Sequence, residues 1–205
     1  MGAWIEPQTR NITRLFRQAS ISDISEGSQW YADAYEIADA LATKYGYSVE
    51  VAAGVIAAVS PLQSWGANVN LAARILAHGG LTAGYLSVGL NRAQRIIDGT
   101  PVLEVLTSPK ISNFYRSIVS AGRDGVCIDR HAYSLAVNTR YTDGDIPSLT
   151  AKRYDAVADC YRRAAKILSA EYETYISPAQ VQSVTWVLWR RKFWSENAFN
   201  SHDEI

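Results

Sequence analysis

Punctuation constrains this sequence more than composition does. Wherever apolar residues keep a period the period is helical, and the stretches are closed by glycine or opened by a hydroxyl cap. Trp30, Ala34, Ile37, Ala38 and Leu41 fall at helical spacing within about residues 29–45, and Gly46 follows as a left-handed stop. Residues 49–59 are apolar nearly all round, the mark of a buried central helix, and Ser60-Pro61 ends them. A helix over 67–77 carries Val69, Ala72, Ala73 and Leu76 and closes at Gly79-Gly80, and a shorter one over 91–97 ends at Gly99.

Ser108-Pro109 predicts a helix start, because proline suits the first helical position, with the helix reaching about residue 121 and stopping at Gly122. The short β-branched stretch Val126-Cys127-Ile128 comes next, and Asp129 then stands as N-cap of a helix over about 130–138. Thr150 caps a helix reaching about residue 168, Ser177-Pro178 opens another through about 191, and a polar tail over 195–205 is expected to fray. No internal repeat, low-complexity segment or Pro/Gly-rich linker interrupts the pattern. An all-α single unit over residues 1–205 is the expectation.

Composition narrows the function classes. A chain of 205 residues, 48% hydrophobic, buries roughly two-thirds to three-quarters of its unfolded surface and needs no metal or disulfide staple. Cys127 and Cys160 are too few for a structural zinc site or a disulfide framework, which makes a reducing cytoplasm the default compartment. No apolar run approaches a membrane span, and the first residues lack a basic-then-apolar leader, so no membrane partner is expected. Twenty Lys+Arg against twenty Asp+Glu exclude a histone-like, purely electrostatic nucleic-acid binder. The charges are nonetheless uneven: residues 51–142 hold eight Lys+Arg and four Asp+Glu, and the first fifty residues are acidic.

Two residues have positions that suit chemistry. Lys110 falls in the first turn of a helix, facing the positive end of its dipole, a setting that favours the neutral, nucleophilic amine; an exposed lysine beside a turn is the plainer reading. Asp129 is explained as an N-cap, yet a carboxylate that accepts backbone N–H bonds also suits a site that must stabilise a developing positive charge. Nineteen positions separate them, filled by a helix, a glycine turn and a short extended segment.

That order, with Lys110 and with Val126-Cys127-Ile128-Asp129-Arg130-His131-Ala132, resembles the helix-hairpin-helix (HhH-GPD) DNA glycosylase superfamily. There a hairpin lysine is followed at a similar interval by an aspartate in a valine-aspartate-x-histidine pattern. A second stretch is similar to the superfamily's buried helix, polar DNA-facing loop and Trp-x-Asn-Val helix start: Ala57-Ala58-Val59-Ser60-Pro61-Leu62-Gln63-Ser64-Trp65-Gly66-Ala67-Asn68-Val69. Where the hairpin normally carries Gly-x-Gly, this chain has Leu106-Thr107-Ser108-Pro109, and the C-terminal four-cysteine cluster of one branch is missing. In both respects it looks like divergent, phage-type members.

The resemblance implies a two-lobed all-α fold, with a glycosylase-like core over residues 51–138 and flanking helices over 1–50 and 139–194 completing the second lobe. It implies that a nucleotide is flipped out of the stack, that Lys110 attacks C1′ of the sugar to expel the base as a Schiff base forms, and that Asp129 assists. Ser60, Gln63, Trp65, Asn68, Arg130 and His131 would contact DNA. No cofactor or metal is implied, and a monomer working in the cytoplasm of a prokaryotic or phage-infected cell is expected. Two alternatives stay open: a phage-type enzyme that modifies a base on the same fold, and a non-catalytic DNA-binding protein.

Other residues have plainer readings. His131 reads first as a first-turn histidine bonded to backbone, and His78, His131 and His202 are too scattered for a metal site. Trp186, Trp189 and Trp194, beside Arg190, Arg191 and Lys192, read as core aromatics with a basic outer face, or else as a nucleic-acid contact. Arg162, Arg163 and Lys166 read as a solvated helix face.

Overall fold

A computed structural model describes residues 2–81, 83–142 and 144–193. The described residues form ten helices and no strand, so the chain is all-α. In chain order they are α1 (Thr9–Phe16), α2 (Ile21–Tyr45), α3 (Val49–Ala58), α4 (Trp65–His78) and α5 (Ser87–Ile97). Then come α6 (Val102–Val105), α7 (Pro109–Val119), α8 (Arg130–Ala136), α9 (Ala151–Glu171) and α10 (Pro178–Phe193). None is long and apolar enough to cross a membrane. Trp194, His202 and the tail over 195–205 lie outside the described residues. The described chain divides into a continuous unit, residues 31–121, and a discontinuous unit, residues 2–30 with 122–193.

The continuous unit is built on α3, as its unbroken apolar run predicts. Residues Ala52 to Ala58 are all buried, and α4, α5, α6 and α7 pack around them. Ser48 and Ser64 cap α3 and α4, accepting the N–H groups of Val51 at 3.3 Å and Ala67 at 3.2 Å. Pro109 opens α7 as expected, but the Ser108 hydroxyl makes no cap bond. Instead Ser112 and Asn113 turn back to the first turn, donating to the carbonyls of Ser108 at 3.0 Å and Pro109 at 2.9 Å. The helix ends at Val119, short of residue 121, because Ala121 and Gly122 both take left-handed conformations (φ 49 and 77) and reverse the chain.

In the discontinuous unit α1 packs on α8, α9 and α10, and α10 packs on α8 and α9. Helix α2 starts at Ile21, upstream of the residue 29 that its periodicity predicts, because Ser20 and Asp23 form a capping box. Asp23 Oδ2 accepts the Ser20 N–H at 2.8 Å, and Ser20 Oγ accepts the Asp23 N–H at 3.1 Å. Arg191 pairs with the other oxygen of Asp23. Burial pushes this carboxyl up, but the Ser20 hydroxyl and amide and the Arg191 charge outweigh it and hold it below the usual range.

Gly27, which reads as a weak point in a helix, is where α2 meets α10. A Cβ there would lie 2.4 Å from Val184 Cα, and Ser183 Oγ donates to the Gly27 carbonyl at 2.6 Å. The stretch Val126-Cys127-Ile128 is buried and, among the described residues, forms no strand. The Tyr154 hydroxyl bonds its backbone instead, accepting the Ile128 N–H at 2.9 Å and donating to the Val126 carbonyl at 2.7 Å. Tyr133 does the same for Ile5, at 2.9 and 3.1 Å. Backbone polar groups outside regular structure are thereby satisfied by side chains, buried ones at Val126 and Ile128 and part-buried ones at Ile5.

Candidate active site

Asp129 is the N-cap of α8, as its place in the sequence predicts, and only 9% of it is exposed. One carboxyl oxygen accepts the Ala132 N–H at 2.7 Å, and the other accepts the indole N–H of Trp186, from α10, at 3.1 Å. Two donors from different helices fix the plane of the group. Around them, His131 meets the Trp186 ring edge-to-face with centroids 6.3 Å apart, and the Arg190 guanidinium lies 4.7 Å from the centre of the same ring. Arg130 Nη2 lies 3.3 Å from His131 Nε2.

Beneath this cluster Tyr161 is wholly buried and donates to the Ala132 carbonyl at 3.1 Å. Burial first, and the Asp129 charge second, push its hydroxyl far above the usual tyrosine range, so it stays a neutral donor. The discontinuous unit thus brings Asp129, Arg130 and His131 together with Trp186 and Arg190.

Lys110 lies in the continuous unit, half-buried at the second position of α7. Ile111 and Phe114, the next inward-facing residues, are buried and anchor that first turn. Ser60, Gln63, Trp65 and Asn68 belong to the same unit, along the link from α3 to α4. Ser60 is buried, with its hydroxyl donating to the Ala57 carbonyl at 3.0 Å. Trp65 is buried edge-on against Phe114, centroids 6.4 Å apart, and Asn68 is fully buried. Gln63 is half-buried. Three of these four side chains are therefore interior.

A family model described as a family of unknown function (DUF7178) matches residues 2–193. The chain belongs to that family. No curated protein and no solved structure matches it. The DUF7178 match spans both units, so it includes Lys110 and Asp129 together with Trp186.

In this DUF7178 member the sequence marks Trp186 as a core aromatic or a nucleic-acid contact, but not as a partner of Asp129. The spacing of Trp186 to Arg190, four residues along α10, stacks the two side chains on one helix face. Its bond to Asp129 spans 57 positions and has no local signal. Trp189 is buried, as the core reading of these aromatics expects, and Arg162 and Lys166 are exposed on α9. Among the described residues no three His, Cys, Asp or Glu side chains are grouped to hold a metal ion.

Proposed function

We propose that the chain is a DNA base-excision enzyme working through a lysine Schiff base. The observation that carries this reading is the carboxylate of Asp129, buried and oriented by a backbone N–H and an indole N–H. A carboxylate that cannot swing away stabilises a positive charge developing nearby without reorganising as the reaction proceeds. The resemblance to glycosylases around Lys110 and around residues 126–132 supports the rest. In this reading the neutral amine of Lys110 forms a bond to C1′ while the base departs with the electrons of the glycosidic bond. Opening of the sugar ring then gives the Schiff base, from which β-elimination can break the strand. Asp129 takes up a proton from the lysine nitrogen and offsets the positive charge on the sugar.

The test is borohydride trapping on oligonucleotides carrying an abasic site, 8-oxoguanine, uracil or 5-hydroxymethyluracil. The expected result is a covalent adduct that disappears with Lys110→Gln and forms about a hundredfold or more slowly with Asp129→Asn. Asparagine keeps the helix cap through its oxygen but sets its NH2 against the Trp186 indole N–H, so thermal unfolding of the variant is measured beside its kinetics to separate lost charge from lost structure. Absence of an adduct on all four DNAs would overturn the excision reading. A mass gain on intact DNA would then favour base modification, and salt-dependent binding alone would favour a non-catalytic DNA-binding protein.

A further inference from the structure

Where α1, α8 and α10 converge in the discontinuous unit they leave a cavity of about 370 Å³. It lies at the C-terminal end of α8, against Leu135 in the last turn and Asn138 just after it, whereas Asp129 precedes the first residue of that helix. Its polar lining is Asn11, Arg14, Gln18, Asn138 and Lys192, and Trp189 forms part of its wall.

The lining is rich in donors and poor in acceptors. Arg14 Nη2 donates to Asn138 Oδ1 at 3.1 Å and to Asn11 Oδ1 at 3.5 Å, and Asn11 in turn gives its amide N–H to the Ala136 carbonyl at 2.9 Å. These bonds occupy the amide oxygens and hold the guanidinium in place, but they do not neutralise it. Among the described residues neither Arg14 nor Lys192 has a carboxylate partner. Asn138 closes α8 in a left-handed conformation (φ 52), one that asparagine tolerates better than most residues. Trp189 is 4% exposed, and its indole N–H has no acceptor in the protein, an uncommon state for a buried donor.

A matching ligand must therefore be anionic and supply acceptors. A bare anion would fill little of this volume, which falls in the range that holds small organic ligands. Leu15, Leu135 and Trp189 form the apolar part of the lining, and the Gln18 amide has both a donor and an acceptor to offer a base edge. An adjoining cavity of about 590 Å³ shares Asn11, Arg14 and Asn138 and adds one cation, Arg10, and one carboxylate, Glu6, so the excess of positive charge belongs to the smaller cavity.

We propose that this cavity binds a nucleotide, with its phosphate on Arg14 and Lys192 and its base against Leu15, Leu135 and Trp189. The nucleotide is either free or one unit of a single strand. The site uses neither Lys110 nor Asp129 and stands independently of the excision reading.

The experiment follows the indole N–H resonances of the six tryptophans in the full-length protein, with that of Trp189 assigned from Trp189→Phe. The probes are 2′-deoxyadenosine 5′-monophosphate, deoxyadenosine, inorganic phosphate and a short oligodeoxyadenylate. The monophosphate is expected to move the Trp189 resonance and to bind more tightly than deoxyadenosine or phosphate alone. Arg14→Gln and Lys192→Gln, both at exposed positions, should each weaken that binding about tenfold, while Lys110→Gln leaves it unchanged. An oligonucleotide binding about tenfold more tightly than the monophosphate places the nucleotide in a strand, and equal affinities mean a free nucleotide; either supports the site. The proposal is overturned if no probe moves the resonance, if phosphate alone matches the monophosphate, or if both cation variants bind as the wild type does.

Discussion

Asn68 lies in the interior of the continuous unit with neither atom of its amide bonded to a protein group. Ser117, also fully buried in that unit, has an equally unpartnered hydroxyl. Each follows by one helical turn a member of the packed pair Trp65 and Phe114, Asn68 on α4 and Ser117 on α7. A buried polar group left unbonded costs about 1–3 kcal/mol, whereas an apolar group of similar shape costs nothing of the kind. Asn68→Leu is therefore expected to stabilise the protein, raising the melting temperature by about 2–4 °C for each kcal/mol recovered. Thermal unfolding followed by circular dichroism measures it, and a lower melting temperature would show that the amide is engaged in solution.

At the scale of elements, glycine has opposite meanings in different helices. Gly46, Gly79 and Gly99 follow helices in left-handed conformations, and their stops are legible because backbone freedom is a local property. Gly27 lies inside α2, where the same residue type signals a break, and that is why the first two turns of α2 are not read from periodicity. What keeps it helical is the close approach of α10, a partner more than 150 positions away. Gly27→Ala isolates the point: helix propensity alone favours alanine by about 1 kcal/mol, but the added Cβ would sit 2.4 Å from Val184 Cα. Backbone would have to move, so the substitution is expected to destabilise by about 1–3 kcal/mol, read from the urea midpoint. A more stable variant would mean that the two helices are farther apart than this.

The candidate site divides along the same line. Asp129 and the start of α7 are legible because caps and prolines act within one turn. Trp186 is not, since its role depends on α10 returning to the cap of α8. Helices α1 and α6 escape for a simpler reason, being too short, at 8 and 4 residues, for a period to emerge.

At the scale of the molecule, the chain builds one compact unit inside the span of another. Residues 31–121 intervene between the two segments of the discontinuous unit, so its α1 can find α8, α9 and α10 only after the chain has returned. Such long-range closure leaves backbone polar groups where no local structure satisfies them, and tyrosine hydroxyls serve in that role at Ile5, Val126 and Ile128. Burial raises the pKa of Tyr85 and Tyr115 in the continuous unit and of Tyr133 and Tyr161 in the discontinuous one, holding each in its protonated form. The sign of the consequence is set by linkage. Above about pH 10 an unfolded tyrosine loses its proton while these buried ones keep theirs, so the unfolded chain binds fewer protons and stability falls as pH rises. Tyr161, the most strongly shifted because it is fully buried and near Asp129, should dominate that decline. Tyr161→Phe is expected to cost about 1 kcal/mol at neutral pH, through the lost bond to the Ala132 carbonyl, and to flatten the alkaline limb. Urea midpoints of both proteins from neutral to about pH 11 measure the difference: converging curves support this account, and parallel curves would show that Tyr161 ionises without opening the fold.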